Sequence, residues 1–456
     1  VDQAKDTIVA ISTPPGRGGI GIVRLSGAEA RAIAAPLLRM RGDWEPGRAR
    51  FAEVVDGALV LDEAVVTWFK GPRSYTGEDV MEIAAHGSPV VLEWLLRRCV
   101  AGGARLAEPG EFTERAFLAG RLDLTQAEAV GGLIDATTLQ QARTAAMQLG
   151  GGLSRQVGPV KRELVTLIAA LEAGVDFAED DLEVMAEAEI AARMAAVEAP
   201  LRTLEAGFAY GRVLREGFRL AIVGRPNAGK SSLFNRLVGR ERAIVTAQAG
   251  TTRDPVAEVV EMAGIPVELV DTAGLRESAA AGDRLDEAEE MGVARSREAM
   301  AEADVVVLVV AADGELHEED RAVVETSAGR RVIVAANKMD LVAEVWWRGA
   351  VEVEVVETSA VAGWGIEELR GAILGALQAV PVAADTVAVT NLRQQGAIVA
   401  ALGAMEAAKR GLSEGMPHEM LLLDLHEALG ALDGLTGTTS TEEILGVIFG
   451  SFCIGK

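Results

Sequence analysis

The residues best suited to chemistry lie in one stretch near the middle of the chain. Gly224-Arg225-Pro226-Asn227-Ala228-Gly229-Lys230-Ser231 fits the pattern G-x-x-x-x-G-K-[ST]. A short apolar run, Phe218–Val223, precedes it and a helical run, Ser232–Val238, follows. This is the strand–loop–helix setting that a phosphate-binding loop requires. Glycines there let successive backbone N–H groups turn inward on phosphate oxygens, and the helix N-terminus adds a favourable dipole. Lys230 is placed to reach the β- and γ-phosphates and Ser231 to bind Mg2+, with Asn227, Ala228, Gly229 and Ser232 lining the same cradle.

Three more short motifs follow. Val267–Val270 reads as a strand ending in Asp271-Thr272-Ala273-Gly274. Asp271 is expected to hold Mg2+ through water, and the Gly274 N–H to meet the γ-phosphate, with Thr272 and Ala273 on the same turn. Val332–Ala336 reads as a strand ending in Asn337-Lys338-Met339-Asp340. A carboxylate at Asp340 would accept hydrogen bonds from guanine N1–H and the 2-amino group, donors that adenine lacks. Asn337 and the stem of Lys338 would brace the base. Thr358-Ser359-Ala360 follows the strand run Val353–Val356, and N–H groups of Ser359 and Ala360 would bind guanine O6. Each motif alone reads as an ordinary strand-end turn. Together, in this order and each behind a strand, they read as a guanine-nucleotide site.

Gly250-Thr251-Thr252-Arg253-Asp254 lies where a switch loop belongs, with Thr252 the expected sensor of Mg2+ and the γ-phosphate. Leu275 directly follows Gly274. Ras-type enzymes carry there the glutamine that orients the attacking water. Leucine cannot do so, and another group must orient water and offset transition-state charge.

The elements that position these motifs are legible in outline. The chain has 456 residues, enough for two to four domains. Hydrophobic residues make up 49 % and aromatics only 4 %, so Ala, Leu, Val and Gly carry the packing. A net charge of −24 argues against wrapping a long phosphate backbone, although residues 1–50 run the other way, with eight Lys/Arg against five Asp/Glu. Two cysteines exclude a disulfide framework, and Cys99 falls in the apolar run Pro89–Val100, which makes it a core thiol. The four histidines form no metal-ligand pattern. No apolar run reaches the roughly 18 residues of a membrane span, and no signal peptide heads the sequence. The expectation is a soluble protein of a reducing cytoplasm.

Residues 1–118 mix β-rich runs (Thr7–Ile11, Gly19–Leu25, Ala64–Phe69) with Gly/Pro loops, an α+β pattern. Residues 122–210 have helical spacing throughout, as at Leu164, Leu167, Ile168 and Leu171. Residues 217–380 alternate strand and helix runs, the pattern of a parallel sheet covered by helices. Helical spacing returns at Gln394–Arg410 and Glu419–Leu432. The expected fold class is multidomain α/β and α, divided at 1–120, 121–212, 213–380 and 381–456. The second and fourth pieces are expected to form one helical domain with a Ras-like P-loop module inserted between them. Two independent helical regions are the alternative.

The nucleotide motifs and the chain around them resemble the MnmE (TrmE) family of tRNA-modification GTPases, over essentially the whole length. Asp6–Ala10 with Pro14-Pro15-Gly16-Arg17-Gly18-Gly19 is similar to its N-terminal signature. So are Ser74-Tyr75-Thr76-Gly77-Glu78-Asp79, His86-Gly87 and the run Pro109–Phe117. Asp123–Ala129 resembles the start of its helical domain, and Cys453-Ile454-Gly455-Lys456 its C-terminal C-x-G-K.

The resemblance implies a K+ ion that supplies the charge an arginine finger supplies elsewhere. Asn227 would be its side-chain ligand, with oxygens from the loop Thr246–Thr251, chiefly Thr246, Gln248 and Thr251; Ala247, Ala249 and Gly250 of that loop would lie along the nucleotide. A bare loop-stabilising role for Asn227 is the alternative. It also implies G-domain dimerisation across the nucleotide face and a water-orienting glutamate, aligned to Glu289. Extra residues at about Ala279–Glu287 leave Glu287 and Glu290 open for that role. The implied N-terminal domain binds 5-formyl-tetrahydrofolate, or a related one-carbon folate, through Arg24, Glu82, Arg121 and Lys456, and forms a homodimer. Cys453 would lie near the one-carbon group, with a catalytic role or as a free thiol on a frayed tail. The implied reaction is GTP-driven modification at C5 of the wobble uridine of certain tRNAs, with the flavoprotein MnmG (GidA) as partner in a heterotetramer or larger complex. A ribosome-assembly-type regulatory GTPase and a folate-dependent one-carbon transferase with a regulatory G domain are the competing readings.

Overall fold

Alternation of apolar and polar residues builds the first sheet. The chain was studied as a computed structural model, which describes residues 6–176, 185–239, 257–271, 300–326, 330–377, 389–438, 448–450 and 452–455. The first part runs β1 (Ile8–Ile11), β2 (Gly18–Ser26), α1 (Ala30–Ala34), β3 (Leu38–Met40), β4 (Arg50–Asp56), β5 (Leu59–Phe69), β6 (Val80–Gly87), α2 (Pro89–Ala101), β7 (Arg105–Leu106) and α3 (Glu111–Leu118). The strands form one sheet in the order β3-β4-β5-β6-β2-β1-β7, antiparallel except for β1 beside β7. Val23, Leu25, Val66, Met81 and Ile83 share a core with Leu92, Leu95 and Cys99 of α2. Burial pushes the Cys99 thiol up to about 12, in keeping with a core thiol. On the opposite face Phe51, Val65, Ala84 and Ile22 lie in register across four strands, and Phe51 and Val65 are exposed.

The described residues between 124 and 216 are helical in all their regular structure: α4 (Leu124–Ile134), α5 (Leu139–Leu149), α6 (Gly152–Asp176), α7 (Glu187–Ala206) and α8 (Phe208–Glu216). Asp123 and Gln126 form a capping box on α4. The Gln126 N–H donates to Asp123 Oδ1 at 2.9 Å and the Asp123 N–H to Gln126 Oε1 at 3.0 Å. The Asp123–Ala129 signature is therefore, at its head, a helix start signal. Helix α6 packs along the helix His418–Thr436, with Leu164, Leu167, Leu421 and Leu425 fully buried. These two partners come from either side of the second sheet in sequence.

That second sheet comprises β8 (Phe218–Val223), β9 (Ala257–Met262), β10 (Ile265–Asp271), β11 (Val305–Ala311), β12 (Arg331–Asn337) and β13 (Glu354–Glu357), in the order β13-β12-β11-β8-β10-β9. Its inner strands are apolar on both faces, as buried parallel strands must be: Leu220, Ala221, Ile222 and Val223 are all buried. Pairing is parallel except at β9, which joins β10 through a tight turn at Ala263-Gly264. Both turn residues have positive φ, 51° and 85°, the geometry that suits a two-residue hairpin. The alternating runs point to a parallel sheet, and the antiparallel edge at β9 is the one departure among the described strands of this sheet. Helix α9 (Lys230–Val238) follows β8, and the helices Glu318–Thr326 and Ile366–Ala376 follow β11 and β13. By contact density Val1–Gly131, Gln148–Glu187 and Ala404–Lys456 make one compact unit, and Gly132–Met147 with Ala188–Gly403 the other.

A charged cluster holds the first unit under its sheet. Buried Arg115 on α3 pairs with Asp6 at 2.8 Å, Glu111 at 2.9 Å and Glu78 at 3.1 Å, and Arg105 reaches Asp6 and Glu111, both at 2.7 Å. Hydrogen bonding from Arg105 holds the Asp6 carboxyl below its ordinary value. Burial pushes Glu111 upward, but hydrogen bonds from Arg105, the Glu108 N–H and Arg115 outweigh it and leave the group lowered. Both folded values lie below the unfolded ones, so the stabilisation is present above the usual carboxylate range and is lost as pH falls through the folded values. Arg115→Met removes the cation that joins Asp6, Glu78 and Glu111 but leaves Arg105 on Asp6 and Glu111, and should cost roughly 1–3 kcal/mol in urea unfolding of the full chain at neutral pH. The variant should also lose less of its remaining stability than the parent between about pH 5 and pH 3. Parental stability at neutral pH would show that the cluster is energetically idle.

Candidate functional site

The P-loop is built by backbone conformations that its residue types permit. Gly224 has φ 144°, and a Cβ there would lie 2.3 Å from Val309 O. Asn227 has φ 62°, a left-handed conformation that asparagine tolerates better than most residues; this accommodates either role foreseen for it. Gly229 has φ 96°, and a Cβ there would lie 2.2 Å from Asn337 Nδ2. Helix α9 starts at Lys230, so the Ser231 hydroxyl sits in its first turn at the loop's edge. Lys230 is buried and its Nζ donates to Arg225 O at 2.8 Å, folding the ammonium over the loop.

The base side is cross-braced to the P-loop. Asn337 is buried at the end of β12. Its Nδ2 donates to Ala228 O at 3.0 Å, and its Oδ1 accepts from Ala360 N at 3.0 Å. One side chain therefore ties the phosphate loop to the Thr358–Ala360 loop. Its side-chain bonds brace the two loops. Ser359 Oγ donates to Asp340 Oδ1 at 2.6 Å, which fixes the exposed Asp340 carboxylate at the edge where a purine would be read. Lys338 has φ 67° and its Nζ stands 3.9 Å from Asp313. Arg236 on α9 donates to Ala360 O at 2.7 Å and Val361 O at 2.8 Å. No motif marks Arg236, and only the tertiary structure discloses its part.

Asp271 is the last residue of β10 and pairs with Ile222 on β8, one residue before the strand that feeds the P-loop ends. A hydroxyl at Ser231 and a carboxylate at Asp271 are hard oxygen donors suited to Mg2+, which takes most of its ligands from phosphate and water. Among the described residues no group of three His, Cys, Asp or Glu could hold a metal by itself. Thr246, Ala247, Gln248, Ala249, Gly250, Thr251, Thr252, Thr272, Ala273, Gly274 and Glu289 lie outside the described residues, as does Lys456.

In the first unit the signature runs converge on one pair. Arg24 on β2 faces Glu82 on β6 in register, with Nε 2.9 Å from Glu82 Oε1. The guanidinium lies 5.7 Å from the Phe112 ring centroid and 6.0 Å from that of Tyr75. Tyr75 Oη and Thr113 Oγ1 share a hydrogen bond of 2.9 Å, and burial raises the Tyr75 phenol above its ordinary value. Tyr75, Phe112 and Thr113 belong to the Ser74–Asp79 and Pro109–Phe117 runs, which sequence reading could quote but not assign. Arg121 is exposed, with its stem beside Gly77. The C-terminal tail returns to the same unit. Phe449 packs on Phe117, Ile454 bridges to Pro109, and Ser12 Oγ donates to Gly455 O at 2.9 Å. Ser12 N in turn donates to Ile22 O at 2.8 Å, two residues from Arg24. Cys453 is exposed within this anchored tail rather than on a frayed one.

The family model described as "GTP-binding protein TrmE N-terminus" matches residues 7–121, and "MnmE helical domain" matches 124–453. The chain is 53 % identical over 457 residues to the tRNA modification GTPase MnmE of Koribacter versatilis (strain Ellin345), covering 99 % of each chain. It is 41 % identical over 454 residues to that of Aquifex aeolicus (strain VF5), covering 99 % of this chain and 100 % of the relative. Among solved structures, a variant of Era from Aquifex aeolicus bound to GDP and AlF4− is 27 % identical, covers 41 % of this chain and 67 % of its own, and has a TM-score of 0.28. The FeoB G-domain from Methanococcus jannaschii is 26 % identical, with 35 % and 97 % covered and a TM-score of 0.26.

Asn337→Ala leaves the Ala228 carbonyl and the Ala360 N–H without their partner. Affinity for GDP and GTP should weaken together by roughly 10- to 100-fold, read by titration with a fluorescent guanine nucleotide. Parental affinity would mean that the two loops hold each other without it.

Proposed function

The chain belongs to the MnmE (TrmE) family, GTPases acting in tRNA modification, and from that premise we propose the finer reaction: GTP turnover that drives addition of an aminomethyl or carboxymethylaminomethyl group at C5 of the wobble uridine of certain tRNAs. The observation that carries the nucleotide half is the Asn337 bridge, which assembles the P-loop, the Asp340 carboxylate and the Ser359–Ala360 loop into one site.

In hydrolysis the water oxygen bonds to the γ-phosphorus as the bond to the β–γ bridging oxygen breaks. GDP leaves with the electron pair, and the water's proton ends on phosphate. Lys230 steadies the β- and γ-phosphates, P-loop N–H groups cup them, and Asp340 selects guanine. Ser231, Thr252 and Asp271 would hold Mg2+, and Asn227 with Thr246, Gln248 and Thr251 would hold K+, ions that would supply positive charge where negative charge builds. Glu289 orients the water, in place of the glutamine that Leu275 replaces. Closure of the switch loop by pairing of two G domains completes the site.

The first unit binds a formyl-tetrahydrofolate through Arg24, Glu82, Arg121 and Lys456. The Arg24–Glu82 pair offers a cation and a carboxylate beside two aromatic rings, a setting that suits an amino-pteridine with an acidic tail. The exposed apolar row around Phe51 and Val65 supports a homodimer through this unit, since open apolar sheet faces mark interaction surfaces. MnmG with its flavin is the partner, and tRNA the substrate; the net charge of −24 fits a complex in which the partner makes much of the tRNA contact. The cytoplasm is the matching compartment, and no described helix is long and apolar enough to cross a membrane. The ribosome-assembly reading leaves the Arg24–Glu82 setting without a purpose.

Asp340→Asn should move preference from GTP toward xanthosine triphosphate in competition binding, and retained GTP selectivity contradicts the base contact. Replacing K+ by Na+ should depress GTP turnover sharply, and equal rates remove the cation role. Nucleoside analysis of tRNA incubated with the chain, MnmG, folate, GTP and NADH decides the reaction itself, because an unmodified wobble uridine leaves a GTPase without this chemistry.

A further inference from the structure

We propose that Thr138 and Gln141 are positioning residues for GTP hydrolysis: the capping box that starts α5 fixes the spacing of the two strands that carry the P-loop and Asp271. The proposal rests on the nucleotide-site reading given above. Within the box, the Gln141 N–H donates to Thr138 Oγ1 at 3.2 Å, and Gln141 Oε1 accepts from the N–H groups of Thr137 at 2.8 Å and Thr138 at 3.0 Å. That is ordinary helix capping. It leaves the Thr138 hydroxyl and the Gln141 amide nitrogen to donate elsewhere, and each does so outside the helix. Thr138 Oγ1 donates to Gly264 O at 2.7 Å, and Gln141 Nε2 donates to Arg215 O at 2.9 Å.

The two carbonyls belong to the starts of neighbouring strands. Gly264 closes the turn that opens β10, and Arg215 lies in the last turn of α8, three residues before β8. Strands β8 and β10 are parallel, with Phe218 opposite Val267. Their far ends are Val223, which runs into Gly224, and Asp271. One capping box thus grips the near ends of both strands whose far ends carry the phosphate loop and Asp271. The fit is close. A Cβ on Gly264 would lie 2.6 Å from Gln140 Cβ, and one on Gly217, just before β8, would lie 2.6 Å from Pro266 O. Thr138 is buried, and residues 132–147 belong to the same compact unit as this sheet.

Close-packed interiors have low compressibility and transmit strain, and β8 and β10 are laddered from Phe218 and Val267 to Ile222 and Asp271, so a shift at their starts is carried toward their ends. Catalysis by positioning is steep in distance: about 1 Å of misplacement can cost on the order of a hundredfold in rate. The grip therefore bears on the transition state more than on ground-state binding, which the P-loop amides and Asp340 secure locally.

The test separates capping from gripping. Gln141→Glu keeps an acceptor for the Thr137 and Thr138 N–H groups but cannot donate to Arg215 O. Thr138→Val loses both functions, and Thr138→Ser keeps both. Thermal midpoint and initial rates of GTP hydrolysis are measured on the full chain in Mg2+ and K+ buffer. Failure of the parent chain to hydrolyse GTP would count against the nucleotide-site reading and not against the grip. In Gln141→Glu, kcat should fall roughly three- to tenfold with KM within about twofold and the thermal midpoint unmoved. Thr138→Val should lose kcat as well, and Thr138→Ser should recover it. Parental kcat in Gln141→Glu, a loss that Thr138→Ser fails to recover, or a change confined to KM or to thermal midpoint overturns the proposal.

Discussion

The nucleotide site depends on the two hydrogen bonds of the Asn337 amide. Parallel strands deliver their functional groups at their carboxyl ends, and each strand end then runs into a separate loop. Backbone bonds such as Met339 N to Thr358 O at 3.1 Å join neighbouring strand ends, but tying the P-loop carbonyl of Ala228 to them takes a side chain. Asn337 does so from the end of β12, with a donor on Ala228 O and an acceptor for Ala360 N. Because the amide is buried, neither bond can be exchanged for water without the cost of an unsatisfied polar group. The close approach of Gly229 to this amide shows how little space the brace leaves.

The first unit solves a comparable problem with charge. Its signature segments lie far apart in sequence, yet Asp6, Glu78, Glu111 and Arg115 meet in one cluster. Burying ions is expensive, and pairing them restores only part of the loss. Such a cluster adds little net stability but penalises any arrangement in which one partner is missing. The same segments bring Tyr75 and Phe112 to Arg24, so the charged scaffold and the candidate ligand pocket are two aspects of one convergence.

Much of the chain from Phe218 onward was legible because local signals and global fold agree there. Phe218–Val223 matches β8 at both ends, and the helices at Gln394 and Glu419 run only a few residues beyond their apolar periodicity. Chemistry written in contiguous motifs, such as Asn337-Lys338-Met339-Asp340, was also readable. Long-range bonds were not. Nothing in sequence tells that Arg236 serves the Ala360 loop, or that Asn337 braces loops before it braces a base. Pro109–Phe117 could be quoted as a signature, but its split between scaffold (Glu111, Arg115) and pocket (Phe112, Thr113) needed three dimensions. The antiparallel β9 was missed because a positive-φ alanine in its turn gives a weaker hairpin signal than asparagine or aspartate would.

The two thiols differ in kind. Cys99 sits fully buried on the core face of α2, where burial pushes its thiol up to about 12, while Cys453 lies exposed between Phe452 and Ile454. Electrophiles react with accessible thiolates, so a maleimide dye offered to the unaltered folded chain discriminates between them without mutagenesis. The label would land on the tail stitched to Ser12 and Pro109, giving an optical handle on that seam in a protein otherwise silent to thiol reagents.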